Sequence, residues 1–201
     1  DESRLSANAF EMQHTNNWLV TSFDYRPDMW NTKPPAAIWV MAVFAKLFGP
    51  SELVFRLPSA IFGILTCCLI FWFCAKKLDN PRLAFLSCFV LITSRGFVDQ
   101  HRIRTGDYDS LLTLATTSYC IFYFLFLQEK RRKHFIWFIG SLILAALTKG
   151  VAAMLFLPAL FICTLAAKQL RSLLMDKRFY FGVLTFGVVI AGYYLLREHA
   201  N

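Results

Sequence analysis

The chain of 201 residues is 57% hydrophobic, 16% aromatic and only 17% charged, and its formal net charge is +8. Its apolar share lies above, and its charged share below, that of an average soluble domain, which excludes an ordinary soluble fold and indicates a membrane protein. A net positive charge can also indicate a nucleic-acid surface, so the location of the cations decides how it is interpreted.

The first 35 residues carry much of the polar chemistry of the chain. Leu5, Ala9 and Met12 follow one another at i, i+4 and i+7, which predicts a helix with one apolar face. The opposite face carries Arg4, Asn8 and Glu11. A helix of this kind lies along a membrane surface more readily than it crosses one.

A second amphipathic helix is predicted for residues 36–48, directly after Lys33-Pro34-Pro35. Proline is tolerated in the first turn of a helix because the N–H that it lacks has no intrahelical partner there. Lys46 is the only charged residue of this stretch, and Gly49-Pro50 ends it. The first outer segment is therefore predicted to hold two interfacial helices joined by a polar loop.

Six apolar runs have the length, or nearly the length, needed to cross a hydrocarbon core of about 30 Å. Four of them contain no charged residue, at 57–75, 110–128, 151–167 and 179–196. A fifth, at 83–98, has Arg95 near one end, where a long side chain can reach the interface. The sixth covers 135–148, and Thr148-Lys149-Gly150 is predicted to form a tight outer turn after it, with Gly150 at the end of the helix. We therefore predict an all-α, polytopic transmembrane helical bundle with about six spanning helices and two interfacial helices in the first outer loop.

The distribution of charge predicts how this bundle is oriented. When the loops are assigned to alternate sides, one side receives eleven cations and three acids, and the other side ten of each. The positive-inside rule places the first side in the cytoplasm, so residues 1–53 face outward and residues 54–201 form the transmembrane region. The cations therefore indicate orientation, and no nucleic-acid partner is predicted.

The outer side collects groups that suit transfer chemistry beside a lipid bilayer. A carboxylate base can activate an acceptor while cations hold a phosphate leaving group, and arginine can grip phosphate through two hydrogen bonds. The carboxylates are Asp1, Glu2, Asp107 and Asp109, and the cations are Lys33, Arg102, Arg104 and Lys149. Charge of this kind is not specific to one reaction.

Several motifs occur together in an order that resembles one enzyme family. They are Asp1-Glu2-x-Arg4, Lys33-Pro34-Pro35, Leu47-Phe48-Gly49, Arg56-Leu57-Pro58-Ser59-Ala60, Arg104-Thr105-Gly106-x-x-Asp109 and Leu147-Thr148-Lys149-Gly150. The set resembles the GT-C glycosyltransferases that use polyprenyl-phosphate sugars, in particular the lipid A aminoarabinose transferases and the protein O-mannosyltransferases. The likeness extends over most of the chain and implies a GT-C type bundle.

The resemblance implies inverting transfer of a sugar from undecaprenyl phosphate to an acceptor on the periplasmic face of a bacterial inner membrane. It implies that Asp1 is the catalytic base and that Asp109 supports catalysis. It implies that the lipid phosphate and sugar are bound by Lys33, Glu2, Arg4, Arg102, Arg104 and Lys149. The implied partners are the polyprenyl-phosphate sugar, membrane lipids, and a lipid, glycan or protein acceptor.

Two departures from the family pattern qualify what the resemblance implies. The aminoarabinose enzymes tend to carry an acid immediately before the phosphate-binding lysine, whereas Thr32 stands there in this chain. No metal ligand is therefore assigned, and participation of a divalent metal is left open. The family also has a preceding helix and later outer loops, so we expect these residues to be the N-terminal portion of a longer enzyme.

Each candidate residue also has a structural interpretation. Asp1 and Glu2 at a helix start complement the helix dipole, and Asp109 is an ordinary first-turn acid. Lys33 and Lys149 suit interfacial anchors. A transporter or flippase for a lipid-linked substrate, and a non-catalytic membrane subunit, remain alternatives, although transporters often place ionisable groups near the membrane midplane and this chain places them at the helix ends.

Overall fold

The computed structural model describes residues 2–28, 30–99 and 103–200, most of which are helical. A two-residue hairpin follows the first helix. The elements in chain order are α1 (Glu2–Thr15), β1 (Ser22–Phe23), β2 (Arg26–Pro27), α2 (Ala36–Phe48), α3 (Glu52–Trp72), α4 (Pro81–Thr93), α5 (Arg95–Val98), α6 (Tyr108–Glu129), α7 (Arg132–Lys149), α8 (Leu157–Ala166), α9 (Leu170–Met175) and α10 (Lys177–Ala200). The fold is a polytopic membrane bundle, as predicted.

Four helical segments in the described part of the chain are long and apolar enough to cross a membrane. They are Glu52–Lys77, Tyr108–Glu129, Arg132–Met154 and Lys177–Ala200. The first of these includes a π-helical turn, Phe73–Lys77, which continues α3. These segments coincide with four of the six predicted spans.

The other two predicted spans are interrupted, so their predicted bounds were wrong. Residues 83–98 do not form one helix, because Ser94 adopts an extended backbone and separates α4 from α5. Residues 151–167 begin as a 3-10 helix, Gly150–Met154, and α8 starts only at Leu157. Pro158 lies in the first turn of α8, where proline needs no hydrogen-bond donor and does not kink the helix. The number of membrane crossings, about six, stays a prediction.

The first two helices, α1 and α2, pack on the N-terminal ends of α3 and α6. Leu5, Ala9 and Met12 of α1 lie against Ile38 and Met41 of α2, and all five are at most 5% exposed. Full burial of a leucine, isoleucine or methionine side chain contributes about 1.5–3 kcal/mol relative to leaving it in water. The apolar face predicted for α1 is confirmed, but protein rather than lipid covers it.

Small residues set how closely the spanning helices approach. A Cβ on Gly182 of α10 would lie 2.6 Å from Phe135 Cζ and 2.9 Å from Ile139 Cδ1 of α7. Glycine at such a position lets two membrane helices come into contact. A Cβ on Gly187 of the same helix would meet no atom within 4 Å.

Replacing Gly182 by valine should lower the unfolding temperature of the detergent-solubilised protein. Overpacking of this kind costs about 1–3 kcal/mol because the Phe135 and Ile139 side chains, or the helices that carry them, must shift. Gly187→Val is the matched control and should leave the unfolding temperature unchanged or slightly raised. Equal unfolding temperatures for the two variants would show that α7 and α10 do not pack as described.

Candidate donor-phosphate site

The polar face of α1 is buried against the loop that follows it. Glu11 is 7% exposed, and its carboxylate accepts the backbone N–H groups of Asp24 at 2.8 Å and of Tyr25 at 3.1 Å. Asp24 and Tyr25 both have φ +57°, which is the backbone of a two-residue hairpin turn. Glu11 therefore holds a strained turn in place, and the polar face of α1 organises the loop.

A partly buried ion pair joins the start of α1 to the end of the hairpin. Arg4 donates from Nε to Asp28 Oδ2 at 2.9 Å and from Nη2 to Asp28 Oδ1 at 2.6 Å. The Asp28 side chain is fully buried, and Asn8 Nδ2 donates a third hydrogen bond to it at 3.1 Å. The hydrogen bonds from Arg4 are the largest cause that holds the pKa of Asp28 below its ordinary value. Arg4 is thus occupied by a protein carboxylate.

The protein should lose stability in acid through Asp28. A carboxyl group whose folded-state pKa is lowered stabilises the fold above its ordinary pKa, and this contribution is lost as pH falls through the lower folded value. Thermal unfolding measured between pH 6 and pH 3, values chosen to bracket roughly the ordinary aspartate pKa, should therefore show a falling midpoint. Asp28→Asn should be less stable at pH 6 and less sensitive to acid. Asp24→Asn removes an exposed carboxyl from the same hairpin and should behave as the parent; an Asp28→Asn profile parallel to the parent would contradict the assignment.

The chain before Lys33 is fixed to α6 by a reciprocal pair of hydrogen bonds. Asn31 Nδ2 donates to Tyr108 Oη at 2.9 Å, and Tyr108 Oη lies 3.1 Å from Asn31 Oδ1, to which it donates. Tyr108 is 1% exposed. The ammonium group of Lys33 lies 4.9 Å from the centroid of the Tyr108 ring, within the range of a cation–π contact.

A cavity of about 130 Å³ lies beside Lys33. Its lining residues come from α1, the loop before α2 and the start of α6, namely Arg4, Leu5, Trp30, Asn31, Thr32, Lys33, Asp107 and Tyr108. Within the described ranges, Lys33 makes this ring contact but no ion pair, whereas Arg4 is paired with Asp28. The cavity is therefore the size of a small polar group, and Lys33 supplies it with a positive charge that no described acid pairs.

Glu2 joins three segments on the other side of α1. It accepts Arg56 Nε at 2.6 Å and Nη2 at 3.0 Å, and also the backbone N–H of Gly106 at 3.0 Å. The hydrogen bonds from Arg56 are the largest cause that lowers the pKa of Glu2. A second acid, Glu52, lies 2.7 Å from the same guanidinium. Glu2 is a cross-link between α1, α3 and the turn before α6.

Asp109 and Lys149 form an ion pair that connects α6 to α7. Lys149 is in the last turn of α7, and Gly150 ends that helix with φ +56°. The helix end predicted at Gly150 is confirmed, and a 3-10 helix, Gly150–Met154, follows it. A Cβ on Gly150 would lie 4.0 Å from Pro34 Cδ, so the Lys149 turn lies next to the Lys33 loop.

Among the described residues, Arg104 does not line the Lys33 cavity. Arg104 lines a separate, more open cavity of about 810 Å³ together with Arg56 and Ile103. Asp1 and Arg102 lie outside the described residues.

The described side chains do not make an obvious metal site. Across residues 2–28, 30–99 and 103–200, no group of three or more His, Cys, Asp or Glu residues is placed to hold a metal ion. Thr32 lines the cavity at the position where the aminoarabinose enzymes tend to carry an acid.

Sequence reasoning missed the residues that shape the cavity. Asn8, Asp28, Asn31 and Tyr108 are all buried and linked by hydrogen bonds over separations of 20 or more residues. The signal in the sequence was limited to Asn8, a polar residue on a helix that also has an apolar face. Their partners depend on tertiary contacts that no local pattern specifies.

Three comparisons with known proteins agree on the kind of protein that this chain resembles. A sequence model of the dolichyl-phosphate-mannose-protein mannosyltransferase family matches residues 32–194. An undecaprenyl phosphate-alpha-4-amino-4-deoxy-L-arabinose arabinosyl transferase from Pseudomonas savastanoi is 34% identical over 98 residues, covering 49% of this chain and 18% of that protein. An uncharacterised protein from Aquifex aeolicus is 25% identical over 199 residues, covering 99% of this chain and 39% of that protein.

Two solved structures have the same fold. The crystal structures of ArnT from Cupriavidus metallidurans, in the apo state and bound to undecaprenyl phosphate, superpose on the chain with TM-scores of 0.84. Their sequence identities are 21% and 22%, and each match covers 100% of this chain and 37% of ArnT. The chain thus has the GT-C helical membrane fold and spans less than half the length of each of these relatives.

Proposed function

Because the chain belongs to the dolichyl-phosphate-mannose-protein mannosyltransferase family, we propose that it is the N-terminal portion of an integral-membrane glycosyltransferase whose donor is a sugar linked to undecaprenyl or another polyprenyl phosphate. The observation that carries this proposal is the cavity beside Lys33, because the charge of that lysine suits a phosphate group. A relative named for an undecaprenyl-phosphate sugar and a neighbour solved with undecaprenyl phosphate support the choice of donor.

In the proposed reaction, Asp1 removes the proton of an acceptor hydroxyl. The acceptor oxygen attacks the anomeric carbon, and the bond from that carbon to the phosphate oxygen breaks. The electron pair of the broken bond goes to the phosphate, which Lys33 stabilises as a point charge. Attack opposite the leaving group inverts the anomeric configuration.

The other predicted residues have supporting parts in this proposal. Glu2, held by Arg56 and by the Gly106 N–H, fixes the start of α1, which directly follows Asp1 in the chain. Arg4 lines the cavity while it is paired with Asp28. It therefore shapes the cavity and adds N–H hydrogen-bond donors to its wall. Asp109 and Lys149 hold the outer ends of α6 and α7 together beside the Lys33 loop.

The two remaining arginines, Arg102 and Arg104, are proposed to bind the lipid phosphate or sugar and to help Lys33 stabilise the departing phosphate. Arg104 would reach this region from the larger of the two cavities, which it lines. Residues 1–53 form the catalytic outer loop and residues 54–201 the transmembrane region. The charge distribution of the loops supports a periplasmic face for the catalytic loop, and the similarity to bacterial enzymes that use undecaprenyl phosphate supports a bacterial inner membrane for the bundle. The acceptor is a lipid, a glycan or a protein hydroxyl.

Sealed vesicles containing the full-length parent protein separate transfer from transport. The vesicles receive an undecaprenyl-phosphate sugar labelled on the sugar, together with lipid, glycan and protein acceptors. Label in a product that no longer contains the donor phosphate supports the transferase. Label that crosses the bilayer with its phosphate bond intact, and never enters a product, would support the transporter alternative instead.

A further inference from the structure

The outer end of α10 is attached to the loop that carries Lys33. Arg197 Nη2 donates to the carbonyl oxygen of Asn31 at 3.1 Å, and Nη1 donates to that of Thr32 at 3.4 Å. These are the last two carbonyls before Lys33. One guanidinium therefore spans two consecutive peptide groups, which its planar, fork-like set of donors allows and a lysine ammonium does not reproduce.

Neighbouring residues of α10 reinforce this attachment. The ring of Tyr193 meets Trp39 of α2 edge to face, with centroids 6.2 Å apart. A Cβ on Gly150 would lie 3.8 Å from Tyr194 Oη and 4.0 Å from Pro34 Cδ, so the Tyr194 hydroxyl borders both the Lys33 loop and the Lys149 turn. Three residues at one helix end thus contact or border the segment from Asn31 to Trp39.

The loop is consequently held from two directions. On one side the Asn31 side chain is bonded to Tyr108 of α6, and on the other the Asn31 carbonyl is bonded to Arg197 of α10. Lys33 has no ion pair within the described ranges to fix its position, so its placement over the Tyr108 ring depends on the backbone that precedes it. Arg197 restrains that backbone from a helix more than 160 residues away in sequence.

We propose that Arg197 is a positioning residue for the donor phosphate: it acts through the Asn31 and Thr32 carbonyls to keep Lys33 directed into the cavity. This inference rests on the proposed function, because it assumes that Lys33 contacts the phosphate. Arg197 does not line the cavity, so it acts on the donor only through the loop. Its effect is expected on donor binding and on the step in which the phosphate leaves, and not on the acceptor.

The structure supplies a matched control on the same helix. Arg178, near the opposite end of α10, donates from Nη1 to the carbonyl oxygen of Lys130 at 3.0 Å. Arg197→Ala and Arg178→Ala each remove one arginine that bonds a loop carbonyl. Only the loop that Arg197 bonds carries Lys33. Comparable unfolding temperatures for the two variants would show that any difference in activity does not come from loss of folded protein.

The test uses the full-length protein in vesicles and measures both the Kd for undecaprenyl phosphate and the kinetics of sugar transfer. Arg197→Ala should raise the Kd and lower kcat/KM for the donor by about tenfold, the scale expected for one lost charge-assisted hydrogen bond, while the acceptor KM stays unchanged. Arg178→Ala should match the parent in all of these values. Arg197→Lys should recover only part of the loss.

A double variant shows whether Arg197 acts through Lys33. In a Lys33→Ala background, the further change Arg197→Ala should cost little, because the residue that it positions is already absent. Fully additive losses, or equal losses in Arg178→Ala, would overturn the positioning role while leaving the proposed function intact. A parent protein that neither binds undecaprenyl phosphate nor transfers sugar would overturn the proposed function itself, and the donor role of Arg197 with it.

Discussion

Asp1→Asn should abolish sugar transfer by the full-length protein while leaving the amount of folded protein unchanged. Asparagine keeps the shape of the side chain but cannot accept the acceptor proton, and loss of a general base lowers rates by about 10²–10⁴-fold. The loss should appear in kcat, with the Kd for undecaprenyl phosphate close to that of the parent. Transfer rates are measured with labelled donor under saturating acceptor.

The matched control for this variant is Asp79→Asn. Asp79 lies in the loop after α3, on the predicted cytoplasmic side, and has φ +51°, a backbone that asparagine also adopts readily. The same chemical change there should leave transfer at the parent rate. Normal transfer by Asp1→Asn, with folded protein confirmed, would show that Asp1 is not the catalytic base.

Lys33→Ala should be the second most damaging substitution. The cavity would lose the cation proposed to meet the phosphate, and removal of one group that stabilises developing charge on the leaving phosphate costs roughly 10²-fold in rate. The Kd for undecaprenyl phosphate should rise as well, because the same charge contacts the phosphate before and after transfer. Binding is measured with undecaprenyl phosphate, and rates with the labelled sugar donor.

Lys46→Ala provides the comparison for Lys33. Lys46 is the other lysine between the hairpin and α3, is exposed in the last turn of α2, and does not line the cavity. Its removal should change neither donor binding nor transfer. An unchanged Kd for undecaprenyl phosphate in Lys33→Ala would exclude this lysine as the phosphate contact.

Local patterns in the sequence were sufficient to predict much of the helical framework. The bounds of α2 are the predicted ones, because Pro35 and Gly49 act within one turn of each end. Helix α7 ends at Lys149, directly before Gly150, the residue that was predicted to end it. Both predictions depend on a single residue type and its immediate neighbours.

The bounds predicted for the spans at 83–98 and 151–167 were wrong because they were predicted from composition alone. Composition measures how apolar a run is and does not show where its backbone leaves the helix. Ser94 and the 3-10 turn at Gly150–Met154 interrupt runs that are apolar throughout or nearly so. These breaks shorten α4 and α8 below the length of a full span.

The interior of the candidate site was the least predictable part. Asp28 looked like one of several acids in a polar turn, yet it is the buried partner of Arg4. Arg197 looked like a cation at the outer end of the last span, yet it bonds a carbonyl 166 positions earlier in the chain. Such pairs form only after distant segments have been brought together, so the spacing of residues in the sequence does not predict them.

The anomeric configuration of the product tests the central claim most directly. A single turnover by the full-length protein, with an undecaprenyl-phosphate sugar of known configuration, should yield a product with the inverted configuration. One molecule of undecaprenyl phosphate should be released for each sugar transferred. Retention of configuration, or delivery of the sugar with its phosphate still attached, would contradict inverting transfer from a lipid phosphate at the Lys33 site.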